Sequence, residues 1–200
     1  MIKLIFIRHT ETEWNKQKKY LGKTDVALSR KGIKQSEIIS HYLKGKKITA
    51  VYSSGLKRAY QTASIIAEKH SLKVKKDERL DEIDFGDWEG MTFSQVQKKY
   101  PRLAKKYISV PLDTKIPKGE SFFKFKSRIN RSLKEILNKA KGTVVIVSHG
   151  GVNRVIFCDL LKIPFSHFWQ IKQDLGAINI IEVYGKNNIA SLVNCVLWEN

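Results

Sequence analysis

Only two cysteines occur in the chain, Cys158 and Cys195, and their spacing matches no metal-ligand pattern. A disulfide framework and a structural zinc site are therefore not expected. No apolar run reaches the ~18–20 residues that a membrane-spanning helix needs. The opening run Ile2-Lys3-Leu4-Ile5-Phe6-Ile7 is apolar but short. It lacks a basic leader and a small-residue cleavage pattern, so it reads as a strand and not as a signal peptide. The expectation is a cytoplasmic protein with no membrane partner. Acidic residues are the scarce charge: 19 Asp and Glu stand against 37 Lys and Arg, a formal net charge of +18. The lysines are scattered in short groups such as Lys16-Lys18-Lys19, Lys44-Lys46-Lys47 and Lys73-Lys75-Lys76. No long basic block or interleaved aromatic series accompanies them, which predicts a solvated lysine-rich surface and no specific nucleic-acid partner.

Repeats, low-complexity tracts and linkers are also absent, so residues 1–200 read as one domain. What is present is an alternation of apolar runs and amphipathic stretches. Ile2–Ile7 predicts a buried strand. Ser29 caps a helix running to about Leu43, with Ile33, Ile38, Ile39, Tyr42 and Leu43 as its apolar side. Thr49–Ser53 predicts a strand, and Leu56–Lys69 a helix with Ala59, Ala63, Ile66 and Ala67 inward. Thr92 and Gln95 have capping-box spacing and open a short helix that Pro101 stops. Ser121 to Lys141 carries apolar residues at helical spacing. Thr143–Val147, β-branched at nearly every position, predicts a central strand. Gly151–Leu161 reads as a helix. Ala177–Tyr184 and Ile189–Val196 read as strands joined through Gly185-Lys186-Asn187-Asn188. This rhythm predicts an α/β fold with a mostly parallel central sheet between two helical layers.

In open α/β sheets, ligands bind beyond the carboxyl ends of the strands. Arg8 and His9 follow the first strand there. Ser148-His149-Gly150-Gly151 follows Val147, and Arg58 comes just after Ser53. Histidine is infrequent in this chain, with five in all, and lysine is favoured over arginine. Two His and two Arg at three strand ends are thus more informative than any lysine cluster. Arginine forks match phosphate oxygens, helix amino ends bind anions, and Gly150-Gly151 lets backbone approach closely. Neighbouring cations keep an imidazole neutral, and a neutral imidazole is a nucleophile. Phosphoryl transfer also needs a proton donor for the leaving oxygen. The segment Leu80–Gly90 offers Asp81, Glu82, Asp84, Asp87 and Glu89, and residue chemistry alone leaves the choice among these five open.

Four segments in order carry a family resemblance. They are Arg8-His9-Thr10-Glu11-Thr12-Glu13-Trp14-Asn15, Tyr52-Ser53-Ser54-Gly55-Leu56-Lys57-Arg58-Ala59, Leu80-Asp81-Glu82 with Gly86, and Ser148-His149-Gly150-Gly151. The chain resembles the histidine phosphatase superfamily, the phosphoglycerate-mutase-like proteins, with Thr10 where the family usually has glycine. The resemblance implies a three-layer α/β/α fold and no metal or cofactor. It implies that His9 carries the phosphoryl group and that Glu82 is the general acid and base. Arg8, Asn15, Arg58, His149 and Gly150 would hold the phosphoryl group, and Leu21, Gly22 and Trp88 would touch the substrate. Phe85-Gly86-Asp87-Trp88-Glu89-Gly90, Phe168-Trp169 and Asn179-Ile180-Ile181 are most similar to the α-ribazole phosphatase group of cobalamin synthesis. The expected partner is a small phosphorylated metabolite. Broad-specificity and phosphoserine phosphatases share much of the pattern. A phosphoglycerate mutase and a non-catalytic phospho-ligand binding protein are the remaining alternatives. The apolar C-terminal strand fits either the interior or a homodimer edge.

Overall fold

The computed structural model describes residues 1–185 and 187–198. Its six strands are β1 (Ile2–Arg8), β2 (Ile48–Ser53), β3 (Val74–Lys76), β4 (Gly142–Ser148), β5 (Ile178–Val183) and β6 (Ile189–Cys195). They form one sheet in the order β3-β2-β4-β1-β5-β6. The β3, β2, β4 and β1 strands run parallel, and β5 and β6 are antiparallel additions. Among the described residues seven α-helices accompany them: α1 (Glu13–Lys16), α2 (Arg30–Leu43), α3 (Lys57–Glu68), α4 (Phe93–Lys99), α5 (Pro101–Ser109), α6 (Phe122–Lys139) and α7 (Gly150–Leu161).

The continuous apolar runs of β1 and β4 follow from burial on both faces. Alternate side chains go to opposite layers. Leu4, Phe6, Val144 and Ile146 pack with Phe125, Ile129, Val155 and Phe157 of α6 and α7. Ile5, Ile7, Val145 and Val147 pack with Ile39, Ala59, Ala63 and Ile66 of α2 and α3. A third cluster gathers Trp88, Val96, Ala104 and Ile116 beside the sheet.

The caps read from the sequence are present. Ser29 and Ser121 accept from Gly32 N and Lys124 N, and Thr92 with Gln95 forms the reciprocal box. The apolar side expected for α2 is corrected. Ile33, Ile38 and Tyr42 are exposed, while Gly32, Gln35, Ser36, Ile39, Ser40 and Leu43 face inward. Close approach to neighbouring backbone selects small and hydrogen-bonding residues here. A Cβ at Gly32 would collide with the Glu11 carbonyl, and Ser40 Oγ donates to Ile65 O at 2.9 Å. Pro101 stops α4 but also occupies the first turn of α5, where its missing N–H costs nothing. The three-residue β3 and the four-residue α1 are too short to show a period. The β5–β6 connection runs through 185–188, of which Lys186 lies outside the described residues; β6 is the sheet edge.

The register decides where function can lie. Arg8 stands opposite Ser148, and Ser53 opposite Val147. The carboxyl ends of β2, β4 and β1 are therefore level and adjacent, roughly 4.8 Å apart. Phe6 sits under this edge, fully buried, with its ring 4.8 Å from Phe157 and nearly perpendicular. Phe6→Ala should cost about 3–5 kcal/mol in urea unfolding; a loss under 1 kcal/mol would show that this layer repacks freely.

Candidate active site

His9 leaves β1 on a backbone bond from its N–H to Ser148 O at 2.8 Å, which ties it to the end of β4. Its Nδ1 lies 2.7 Å from Thr10 O. A carbonyl only accepts, so Nδ1 carries the proton and Nε2 keeps its lone pair. Thr10, in place of the usual glycine, is absorbed without strain. Its buried Oγ1 donates to Gly32 O at 2.8 Å and sits 2.8 Å from Ser36 Oγ.

His149 lies against His9, ring centroids 5.2 Å apart. Its Nε2 is 2.8 Å from Ser54 Oγ. Ser54 gives its one proton to Asp81 Oδ1 at 2.7 Å and also accepts from Leu56 N. The network therefore assigns the proton of neutral His149 to Nε2, leaving Nδ1 bare. That Nδ1 is buried and has no partner among the described residues, as are Arg8 Nε and Arg58 Nε. Ser54 and Ser148 serve as hydrogen-bonding residues; Ser148 Oγ donates to Leu80 O at 2.6 Å.

The two arginines are held by backbone carbonyls. Arg8 Nη1 donates to Gln173 O at 2.6 Å, and Arg58 donates to Thr24 O at 2.9 Å and Gly22 O at 2.6 Å. Carbonyls orient a guanidinium without cancelling its charge, so both remain available to an anion. Burial lowers each to a pKa of about 10, which leaves both charged at neutral pH. Burial first, and then Arg58 and Arg8, push His9 well below the ordinary histidine value. Burial, Arg58, His9 and Arg8 do the same to His149.

Glu82 is buried at the same edge. Its Oε1 accepts from Ile83 N and its Oε2 from Gly151 N, both at 3.0 Å. A Cβ at Gly151 would collide with this carboxylate, which explains the second glycine of the pair. The loop carrying Glu82 is fastened by Arg128 of α6. Arg128 donates to the carbonyls of Arg79, Asp81 and Glu82 and to both oxygens of Glu120. Arg128 escaped the sequence reading because it lies on an amphipathic helix with no motif around it.

A cavity of about 250 Å³ opens on these groups. Arg8, His9, Asn15, Leu21, Glu82 and Gly150 line it; Arg58 and His149 are fully buried, with His149 packed against His9. Asn15 Oδ1 is engaged by Thr12 N and Oγ1 in the cap of α1, so only its amide N–H groups remain for a ligand. Gly22 and Trp88, read as substrate contacts, do not line the cavity. Gly22 supplies a carbonyl to Arg58, and Trp88 is wholly buried in the third cluster. The apolar wall is formed instead by residues such as Ile83, Phe85, Tyr107, Phe122 and Trp169, with Arg154 among them. Among the described residues no group of three or more His, Cys, Asp or Glu is placed to hold a metal ion. The arrangement is chemically suited to a phosphoryl group: two cations lie around an imidazole with a free lone pair, a second imidazole can donate to the anion when protonated, and a carboxyl stands beside them.

Known proteins are similar to this chain in sequence and fold. The family model of the histidine phosphatase superfamily (branch 1) matches residues 4–196. The chain is 36% identical to phosphoserine phosphatase 1 of Hydrogenobacter thermophilus, covering 100% of this chain and 96% of the relative. A solved structure of a putative α-ribazole-5′-P phosphatase from Escherichia coli superposes with a TM-score of 0.91 at 26% identity, covering 97% of this chain and 96% of that one. A phosphoserine phosphatase variant from Entamoeba histolytica in complex with phosphoserine superposes at 0.85 with 30% identity, covering 98% of each chain.

The buried imidazoles make stability depend on pH. In the unfolded chain they titrate near 6.5; in the folded protein they resist protonation well below that. Below about pH 6.5 the unfolded state therefore binds more protons, and stability falls as pH falls, by up to about 1.4 kcal/mol per pH unit for each histidine. Urea midpoints should drop from pH 7.5 to 5.0, and the drop should flatten in a His9→Asn/His149→Asn double variant. An unchanged slope in that variant would contradict the assignment.

Proposed function

The chain belongs to the histidine phosphatase superfamily and is a phosphatase, and from that premise we propose that it hydrolyses small phosphate monoesters through a phosphoryl group carried on His9, without a metal. The observation that carries this reading is the trio of buried, unpartnered nitrogens around His9: Arg8 Nε, Arg58 Nε and His149 Nδ1. Buried polar atoms are ordinarily satisfied, and phosphoryl oxygens would accept from the two arginine Nε–H groups and from His149 once its Nδ1 is protonated. His9 Nε2 attacks phosphorus, the N–P bond forms and the ester P–O bond breaks. Glu82 gives its proton to the leaving oxygen. Arg8 and Arg58 stabilise the charge on the equatorial oxygens, and His149, protonated at Nδ1 by the arriving phosphate, donates to one of them. The Glu82 carboxylate then takes a proton from water as the water oxygen bonds to phosphorus. The N–P bond breaks, neutral His9 returns, and His149 gives its Nδ1 proton back to the departing phosphate.

For the ester itself, we favour α-ribazole 5′-phosphate, the cobalamin-synthesis substrate class. Likeness to the Escherichia coli structure and the aromatic cavity wall support it. Phosphoserine is the second reading, supported by the relative that is 36% identical along the whole chain. Steady-state kcat/KM on both, beside phosphoglycerates and sugar phosphates, decides between them.

The reaction itself is tested with a generic aryl phosphate. His9→Ala should reduce turnover to background, and Glu82→Gln should lower kcat by about 100- to 10,000-fold. Chelator should leave wild-type activity unchanged. Full activity in His9→Ala, or activity abolished by chelator, would overturn the reading.

A further inference from the structure

Arg154 is a partly buried cation for which the phosphoryl chemistry has no use. It lies on α7, four residues after Gly150. Its Nε donates to Ile171 O at 2.8 Å, and its guanidinium stacks 5.1 Å from the Trp169 ring and 5.8 Å from Phe168. Its two Nη atoms make no hydrogen bond to the described residues, and no carboxylate among them comes within ion-pairing distance. A cation held against apolar walls without a counter-group is costly. Burial accordingly lowers its pKa from the ordinary arginine value.

Its surroundings locate it on the leaving-group side. A Cβ at Gly150 would lie 3.2 Å from Arg154 Nη1 and 3.5 Å from Arg8 Nε, so the two guanidiniums flank that glycine. Glu82 and Tyr107 both act electrostatically on Arg154. The cations that act on His9 are instead Arg58 and Arg8, with Arg128 added at His149. Arg154 also acts on Arg8, so it stands at the rim of the phosphoryl cradle, beside Glu82 and against the aromatic wall. Beyond it, Phe85, Tyr107, Phe122, Phe125 and Trp169 wall the same cavity. A small alcohol would leave these rings unfilled.

We propose that Arg154 is a specificity-determining residue whose Nη groups donate to an acceptor on the leaving alcohol, and that the site selects alcohols with a flat aromatic body bearing such an acceptor. The phosphohistidine reading enters only by placing the ester's alcohol beside Glu82. Flat rings fill the aromatic wall, and a guanidinium fork pairs with carboxylate, hydroxyl or ring-nitrogen acceptors at fixed geometry.

The test uses matched esters: ethyl phosphate, benzyl phosphate and 4-carboxybenzyl phosphate. Wild type should prefer benzyl over ethyl phosphate by at least about tenfold in kcat/KM. It should prefer the carboxylated ester over benzyl by about 10- to 100-fold, the worth of a charged hydrogen bond. Arg154→Met keeps the length of the side chain and removes the donors, and it should collapse the second ratio to near one, mainly through KM. Arg154→Lys should recover it in part. An equal loss on both aromatic esters in Arg154→Met would assign Arg154 to the phosphoryl group and overturn the proposal, as would a wild-type ratio near one. Binding of benzylphosphonate and 4-carboxybenzylphosphonate by calorimetry, in the His9→Ala background with and without Arg154→Met, gives the same comparison without turnover. Wild type inactive on all three esters would count against the phosphomonoesterase reading, while a retained phosphonate preference that Arg154→Met abolishes would still support the subsite. Absence of that preference would overturn it.

Discussion

A buried imidazole beside buried guanidiniums resists protonation, and the active edge of this protein is built on that constraint. Arg8 and Arg58 are kept from pairing with carboxylates because carbonyls of Gln173, Gly22 and Thr24 hold them. Their charge is therefore spent on the site. Burial first, and this charge second, hold His9 neutral, and a neutral ring fixed by Thr10 O exposes its lone pair at Nε2. The same field prepares the site for an anion, since a phosphoryl group offers negative charge to the two guanidiniums. Nucleophile activation and substrate binding are thus two consequences of one charge distribution.

Rigid elements supply the geometry. Adjacent parallel strands bring His9, Ser54 and His149 level, and the sheet core below them is fully buried. The acid arrives differently, on an irregular loop that has no strand to hold it. Arg128 does that work through three backbone carbonyls, and Gly151 offers Glu82 both space and an N–H donor. The Asp81–Ser54–His149 chain fixes which nitrogen of the second histidine faces the phosphoryl position.

Much of this was legible in the sequence because strand ends and their motifs are local. The β-branched run of β4, the Ser29 and Thr92 caps and the Arg-His and His-Gly-Gly segments each signal within a few residues. What was illegible depends on contacts distant in the chain. The family resemblance assigns Trp88 to the substrate, yet tertiary packing buries it among Val96, Ala104 and Ile116. Ile33, Ile38 and Tyr42 read as core, but close backbone approach turned the glycine and serine face of α2 inward. Arg128 and Arg154 sit on helices where an arginine is ordinarily a solvated residue; only the fold reveals what each one meets.

The central claim is that phosphate passes through His9. Rapid-quench mass spectrometry of wild type mixed with an aryl phosphate, followed by peptide mapping under alkaline conditions, tests it most directly. The account predicts one phosphoryl group per chain, located on the His9 peptide, labile to acid, formed within the first turnover and absent in His9→Ala. First-turnover product release with no phosphorylated enzyme at any quench time, or the label on any other residue, would contradict it.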